Sequence, residues 1–160
     1  MYPVSSEGLN RETEDTVYFF TTAFHPLDNF SAHSISIWGK DFPTVEHAFQ
    51  WKKFSKHNSD IADLILRARS PHMVKEISDA NNSKQSETWI DEKVNVMTEI
   101  LFAKMNQHKD VQEILIKTGN RKIIENSPVD RFWGVGPHGD GENNVGEIWM
   151  KIREPLNLDK

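Results

Sequence analysis

The segment 87–108 carries a long helical pattern and indicates most strongly what this chain folds into. Trp89, Val96, Met97 and Ile100 recur at helical spacings along it, which is typical of an amphipathic helix with one apolar side. Such a helix buries its apolar side against other elements. The chain is therefore expected to build its core mainly from helices.

Helix-start and helix-stop signals indicate further helices. Thr44 predicts the N-cap of a helix that runs to about His57, and Ser59 predicts the N-cap of the next one. Ser70–Pro71 predicts a third start, because proline is favoured at the first helical position. Gly119 predicts the end of the helix that begins near residue 110.

Three short segments predict strands, and one predicts a last helix. "TVYFF" at 16–20 and "KIIE" at 122–125 are rich in β-branched or aromatic residues, and "HSISIWG" at 33–39 alternates polar and apolar residues. The pattern at 145–154 predicts a helix that stops before Pro155.

These elements predict an α+β fold, a mainly helical single domain packed around a small β-sheet. We expect this domain to cover residues 15–160, since the polar residues 1–14 show no period and predict a loose N-terminal tail.

Composition limits the function classes. The formal net charge is -5, which disfavours non-specific binding to nucleic acid, while still allowing a small basic pocket for one phosphorylated ligand. Cysteine is absent, which excludes thiol catalysis and cysteine zinc sites. No signal peptide and no long apolar run is found, so a cytoplasmic protein without a membrane role is expected.

The segment "PTVEHAFQWKKF" at 43–54 predicts polar groups set into the apolar side of a helix. Glu46, Gln50 and Lys53 share that side with two phenylalanines, which are expected to desolvate Lys53 and lower the pKa of its amine. The pattern also has a structural interpretation, in which Glu46 complements the helix dipole and Lys53 reaches water over its aromatic neighbours.

A glycine-rich segment, 130–146, is the second candidate. Its glycines are expected to let backbone N–H groups approach a ligand, together with the N-terminus of the helix that follows. Trp133 could stack on a base or sugar, and Asp130 could orient a hydroxyl or water. The alternative is a surface loop with Trp133 in the core. The candidate ligand-binding residues are Trp133, Gly134, Gly136 and Asn143, with Gly139, Gly141 and Asn144 beside them.

Other positions favour a site less clearly. Arg69 could hold a phosphate, or it could complement the end of a helix dipole. Trp89 could form a ligand platform, although a tryptophan at a helix start is more often core. The histidines show no close metal-ligand spacing, so neither a metal nor a cofactor is expected.

Taken together, the chain resembles the NADAR family from about Phe20 to Arg153. The resemblance is carried by "LDNFS" (27–31), by "PTVEHAFQWKKF", and by "DRFWGVG" with "GENNVGEIWMKIR" near the C-terminus. One departure is the lack of an Arg shortly before Trp89, where Lys84 is the nearest basic residue.

The resemblance implies a hydrolase of N-glycosidic bonds to ribose. It implies as substrates either ribosylamino pyrimidine intermediates of riboflavin synthesis or ADP-ribosylated guanine, including guanine in nucleic acid. It implies one pocket built from the two motifs. Catalytic roles are expected for Glu46, Lys53 and Asp130, and substrate contacts for Asn29, Phe30, Gln50, Arg69, Trp89, Trp133, Gly134, Gly136, Asn143 and Gly146.

Two mechanisms fit these residues. A carboxylate could stabilise an oxocarbenium-like sugar or activate water, or a neutral Lys53 could attack the ribose C1 and form an imine. The rival class is a binding module that senses NAD or ADP-ribose without chemistry. The sequence leaves the released base and the oligomeric state open.

Overall fold

The computed structural model describes residues 8–20 and 25–157, which divide into two compact units. The first comprises the described residues up to Ser31 together with those from His108 onward, and the second is Ala32–Gln107. In order along the chain the elements are β1 (Arg11–Glu12), β2 (Thr16–Phe19), β3 (Ile35–Ile37), β4 (Lys40–Phe42), α1 (Val45–Ser55), α2 (Ser59–Arg67), α3 (Pro71–Ala80), a 3₁₀-helix (Asn82–Lys84), α4 (Trp89–Gln107), α5 (Lys109–Thr118), β5 (Lys122–Glu125) and α6 (Asn144–Asn157).

In the first unit, β1, β2 and β5 form a three-stranded sheet in that order. β1 runs antiparallel to β2, whereas β5 runs parallel to β2 with Val17 opposite Ile123. Both residues are almost fully buried. On α6 the Trp149 side chain is fully buried, and its Nε1–H donates to the Leu27 carbonyl at 2.9 Å. This bond satisfies the only polar group of the indole inside the core.

In the second unit, helices α1, α2 and α3 close a core that includes Phe54, Ile61, Ile65 and Val74. The amphipathic pattern of α4 is confirmed, with an apolar side that is buried along its length. β3 and β4 form a hairpin joined by a two-residue turn.

Helix α1 begins where the sequence predicts. Thr44 is its N-cap, and the threonine hydroxyl accepts the His47 backbone N–H at 3.2 Å. The buried His47 ring lies 2.8 Å from the Thr44 hydroxyl through Nδ1 and 2.9 Å from the Ala68 carbonyl through Nε2. A carbonyl can only accept, so Nε2 carries the proton and Nδ1 accepts from Thr44. The neutral imidazole thus connects the start of α1 to the end of α2.

The structure corrects three expectations about boundaries. The N-cap residue of α2 is Asn58, not Ser59. The Asn58 side chain makes no capping hydrogen bond and donates instead to the Lys84 carbonyl. Helix α6 continues through Pro155 to Asn157, whose side-chain amide donates to the Gly119 carbonyl and holds the last turn.

The third correction concerns the N-terminus. Of the predicted loose tail, residues 1–7 lie outside the described residues. Arg11–Glu12 form β1 instead, held by pairing with β2 and by an ion pair between Glu12 and Arg121.

The predicted α+β class is confirmed, with six α-helices among the described residues and two small sheets where one was expected. That residues 15–160 form a single domain stays a prediction. None of the helices in residues 8–20 and 25–157 combines the length and apolarity needed to cross a lipid bilayer.

We predict that His47 makes stability depend on pH. Burial lowers the pKa of His47 from its ordinary 6.5, so below pH 6.5 the unfolded chain binds more protons at this position than the folded chain. The contribution of His47 to the free energy of unfolding is complete above pH 6.5, and it is lost as the pH falls through the pKa of His47 in the folded state. Urea unfolding at pH 7.5 and 5.5 should show a larger difference for the wild type than for His47→Gln. An identical difference in both proteins would contradict this role.

Candidate active site

The polar side of α1 is present as predicted. Glu46 is 7% exposed, and Gln50 and Lys53 are half-buried one and two turns further along the helix. The Gln50 amide Nε2–H donates to Glu46 Oε1 at 2.9 Å. This bond fixes the Gln50 amide so that its oxygen faces away from the carboxylate.

Ser78 of α3 extends this arrangement to Lys53. Its hydroxyl donates to Gln50 Oε1 at 2.6 Å and accepts from Lys53 Nζ at 3.0 Å. Lys53 Nζ also donates to Asn82 Oδ1 at 2.7 Å. We call these five residues the lysine network: Glu46, Gln50, Lys53, Ser78 and Asn82. Along the series of hydrogen bonds from Lys53 through Ser78 and Gln50 to Glu46, each group donates to the next one toward the carboxylate.

Burial lowers the pKa of the Lys53 amine from its ordinary 10.5, as the sequence predicts. The charges of Asp79 and Glu46 oppose this shift, while Lys75 and Lys93 add to it by repulsion. The result is a larger fraction of neutral amine than an exposed lysine has. Only the neutral form can act as a nucleophile.

The two phenylalanines near Lys53 on α1 make different contacts. Lys53 Nζ lies 5.3 Å from the Phe54 ring centroid, so Phe54 flanks the amine as expected. Phe49 instead packs on Trp89, with ring centroids 5.1 Å apart and both side chains 4% exposed. Trp89 is thus packed into the core of its unit, and a substrate contact by Trp89 stays a prediction. Lys52 points elsewhere, with Nζ 4.6 Å from the Trp38 ring centroid.

Sequence reasoning missed Ser78 and Asn82. Ser78 is fully buried and follows the buried Val74 by one helical turn, so a polar residue on the apolar side of α3 was the signal. Asn82 lies in the 3₁₀-helix after α3 and carries no comparable pattern.

In the first unit, Asp130 organises the glycine-rich loop. Its Oδ1 accepts the backbone N–H groups of Phe132 and Trp133 at 2.9 and 2.8 Å, and its own N–H donates to Ser127 Oγ. Trp133 is half-buried and meets Phe132 edge-on at 4.7 Å between ring centroids. These contacts give Asp130 a structural role, while its catalytic role stays a prediction.

The loop uses many of its N–H groups internally, and an anion contact by its other N–H groups stays a prediction. The N–H groups of Val135, Gly141, Glu142 and Asn143 donate to carbonyls of the same loop or of β5. The two N–H groups at the start of α6 also donate to loop carbonyls: Asn144 to Phe132 and Val145 to Trp133.

The other candidates in this segment serve packing. A Cβ on Gly146 would overlap the Ile123 carbonyl oxygen, and one on Gly136 would lie 2.5 Å from Arg131 Cγ. The buried Asn143 side chain accepts from the Glu125 N–H and donates to the Ile123 carbonyl, so it pairs with the edge of β5. Ligand contacts by these residues stay predictions.

Three more candidates lie at unit surfaces or turns. Asn29 is buried, and Phe30 is half-buried with its N–H donating to Asp28 Oδ1 at 2.8 Å. Arg69 is exposed between α2 and α3. Substrate binding by all three stays a prediction, as does the single pocket built from both motifs.

A half-buried amine that is linked through one hydroxyl and one amide to a buried carboxylate is typical of an enzyme with covalent or acid–base chemistry. The comparisons with known proteins give this class a family. The chain matches the NADAR domain over residues 10–157. It therefore belongs to the NADAR family, which confirms the resemblance.

Named relatives cover most of the chain. It is 32% identical to the N-glycosidase YbiA of Escherichia coli across 99% of both chains. An N-glycosidase of Nostoc punctiforme is 33% identical over 88% of this chain and 92% of the relative. A riboflavin biosynthesis protein of Vibrio vulnificus is 32% identical over 89% of this chain but only 39% of the relative.

The fold comparison agrees with the sequence comparison. An NMR structure of the E. coli protein YbiA matches with a TM-score of 0.79 and 30% identity, covering 99% of this chain and 95% of that one.

We predict that Gly134→Ala lowers stability. The new Cβ would lie 2.7 Å from the Glu125 carbonyl oxygen and 2.9 Å from Ser127 Cβ, so the backbone must shift. The free energy of unfolding should fall by about 1–3 kcal/mol, measured by urea titration. Gly8→Ala is the control, since its Cβ would meet open space. Equal stability of both variants would show that the loop does not depend on this close approach.

Proposed function

We propose that this protein is an N-glycosidase that hydrolyses the bond between a base and ribose in a ribose-phosphate or ADP-ribose conjugate. The enzyme class, a hydrolase acting on N-glycosyl compounds, is that of YbiA, to which the chain is related over its full length. The observation that carries the proposal is the Lys53 amine, which lies on the same side of α1 as the buried Glu46. Two oxygen acceptors, Ser78 Oγ and Asn82 Oδ1, hold this amine.

The network supplies the two things that the reaction needs. Breaking the bond at the ribose C1 leaves electron density on the base and positive charge on the sugar. A neutral amine can attack C1, and a carboxylate can stabilise the sugar cation or transfer a proton. Glu46 and Lys53 lie seven positions apart, about 10 Å along the helix axis, and Gln50 and Ser78 connect their side chains by hydrogen bonds.

In the proposed route, the Lys53 lone pair forms a bond to C1 while the bond from C1 to the base nitrogen breaks. The base leaves with the bonding electrons and takes up a proton, and the attached Lys53 nitrogen loses one. Opening of the ring then breaks the bond between C1 and the ring oxygen, which is protonated as the imine forms. Water adds to C1, and Lys53 leaves as the free amine.

The names of two relatives indicate which substrates to test first. The Vibrio relative is named a riboflavin biosynthesis protein, as is a maize relative that is 30% identical over 83% of this chain but only 23% of the relative. Ribosylamino pyrimidine phosphates are therefore the first substrates to test, followed by ADP-ribosylated guanine. The cytoplasmic location stays a prediction.

We predict that Glu46→Gln loses activity while the fold survives. The substitution keeps the shape of the side chain and an oxygen for the Gln50 amide, but removes the charge. A positioned acid or base supplies about a hundred- to ten-thousand-fold in rate, so kcat should fall by that factor. The assay detects both products, free base and ribose phosphate or ADP-ribose, by mass spectrometry.

The control for this prediction is Glu76→Gln, which removes an exposed carboxylate from α3 and should leave kcat unchanged. Wild-type turnover by Glu46→Gln would return Glu46 to the role of a dipole-complementing residue. Binding of ADP-ribose without product from any substrate would favour the rival, a non-catalytic NAD or ADP-ribose sensor.

A further inference from the structure

We propose that Ser78 is a positioning residue that keeps the lone pair of Lys53 turned toward the substrate. The inference rests on the proposed function, since it concerns how the same amine is presented. Ser78 is fully buried, so it does not itself reach a substrate in this arrangement.

The Ser78 hydroxyl has a single proton to donate. That proton is given to Gln50 Oε1 at 2.6 Å. Toward Lys53 the hydroxyl can therefore only accept, which it does at 3.0 Å. If the proton were free to turn, it would donate to the lone pair of a neutral Lys53 and block it.

The bond to Glu46 holds the Gln50 amide oxygen in place. The Gln50 amide donates to Glu46 Oε1, so its oxygen must face Ser78. A flipped amide would place its oxygen against the Glu46 carboxylate and its N–H groups against Ser78, so the hydroxyl proton would lose its acceptor. The carboxylate of Glu46 thus fixes the amide, the amide fixes the hydroxyl, and the hydroxyl fixes the amine.

Asn82 completes the geometry around Nζ. A neutral amine has two N–H groups and one lone pair in tetrahedral directions, and Ser78 Oγ and Asn82 Oδ1 accept two N–H groups. The lone pair is then confined to the remaining direction. Holding a nucleophile in one orientation contributes a large factor to the reaction rate, because a misplacement of about 1 Å can lower the rate about a hundredfold.

The test separates orientation from protonation. Removing either acceptor makes the ammonium less favourable, so Ser78→Ala and Asn82→Ala should lower the pH at which half of Lys53 is neutral. The charged groups that face Lys53 stay in place in these variants: Glu46 on its own helix, Lys75 and Asp79 on α3, and Lys93 on α4. Labelling with acetic anhydride across pH, read by peptide mass spectrometry against the exposed Lys56, measures this pH without substrate.

The two variants should then hold more neutral amine at pH 7, yet turn over more slowly. We expect kcat to fall about ten- to a hundredfold with KM unchanged. Asn82→Asp keeps the acceptor oxygen, and its carboxylate raises the pH at which half of Lys53 is neutral. Above that pH the variant should recover kcat. Ser83→Ala, on the same exposed 3₁₀-helix as Asn82, is the control and should match the wild type in both readouts.

Three results would overturn the inference or its basis. Wild-type or faster turnover by Ser78→Ala would show that Lys53 needs only to be neutral, and the proposed function would stand. An unchanged labelling midpoint in Ser78→Ala would show that the hydroxyl does not hold the amine. No turnover by the wild type on any substrate would reject the proposed function and the catalytic meaning of the inference, while a shifted midpoint would still establish the contact.

Discussion

The hydrogen bond from the Ser78 hydroxyl to the Gln50 amide oxygen is the contact on which the candidate site depends. It joins α1 to α3 inside a packed unit, where an unpaired polar group costs about 1–3 kcal/mol. Because each partner has a fixed number of donors and acceptors, the directions of this bond and of the neighbouring bonds to Glu46 and Lys53 are set together. The polar residues on the apolar side of α1 are thus satisfied by one another, and burial lowers the pKa of Lys53 without leaving the amine unbonded.

The helices and the polar side of α1 could be predicted because both depend on residues that are close together in the sequence. Thr44 and Ser70–Pro71 cap their helices as predicted, and Glu46, Gln50 and Lys53 fall on one side of a single helix. Ser78 lies 25 residues beyond Lys53 in sequence, so its contact is a product of how α3 packs on α1. No local pattern encodes such a contact.

The glycine-rich loop shows the opposite limit of sequence reasoning. Its composition suggested backbone groups open to a ligand, since glycine permits close approach. The structure shows that the close approach at Gly134 and Gly146 is to the protein's own β5 region, and that Asn143 pairs with that strand. A glycine pattern predicts tight contact, but it does not say whether the other side is a ligand or the chain itself.

Trapping of an imine on Lys53 tests the central claim most directly. Sodium borohydride added during turnover reduces an imine to a stable amine, so a peptide containing Lys53 should gain the mass of the ribose phosphate or ADP-ribose moiety. Lys53→Arg should be inactive and give no adduct, whereas Lys52→Arg, which keeps a cation beside Trp38, should behave as the wild type. Full activity of Lys53→Arg, or turnover without any adduct on Lys53, would contradict the account and assign the chemistry to Glu46 and water.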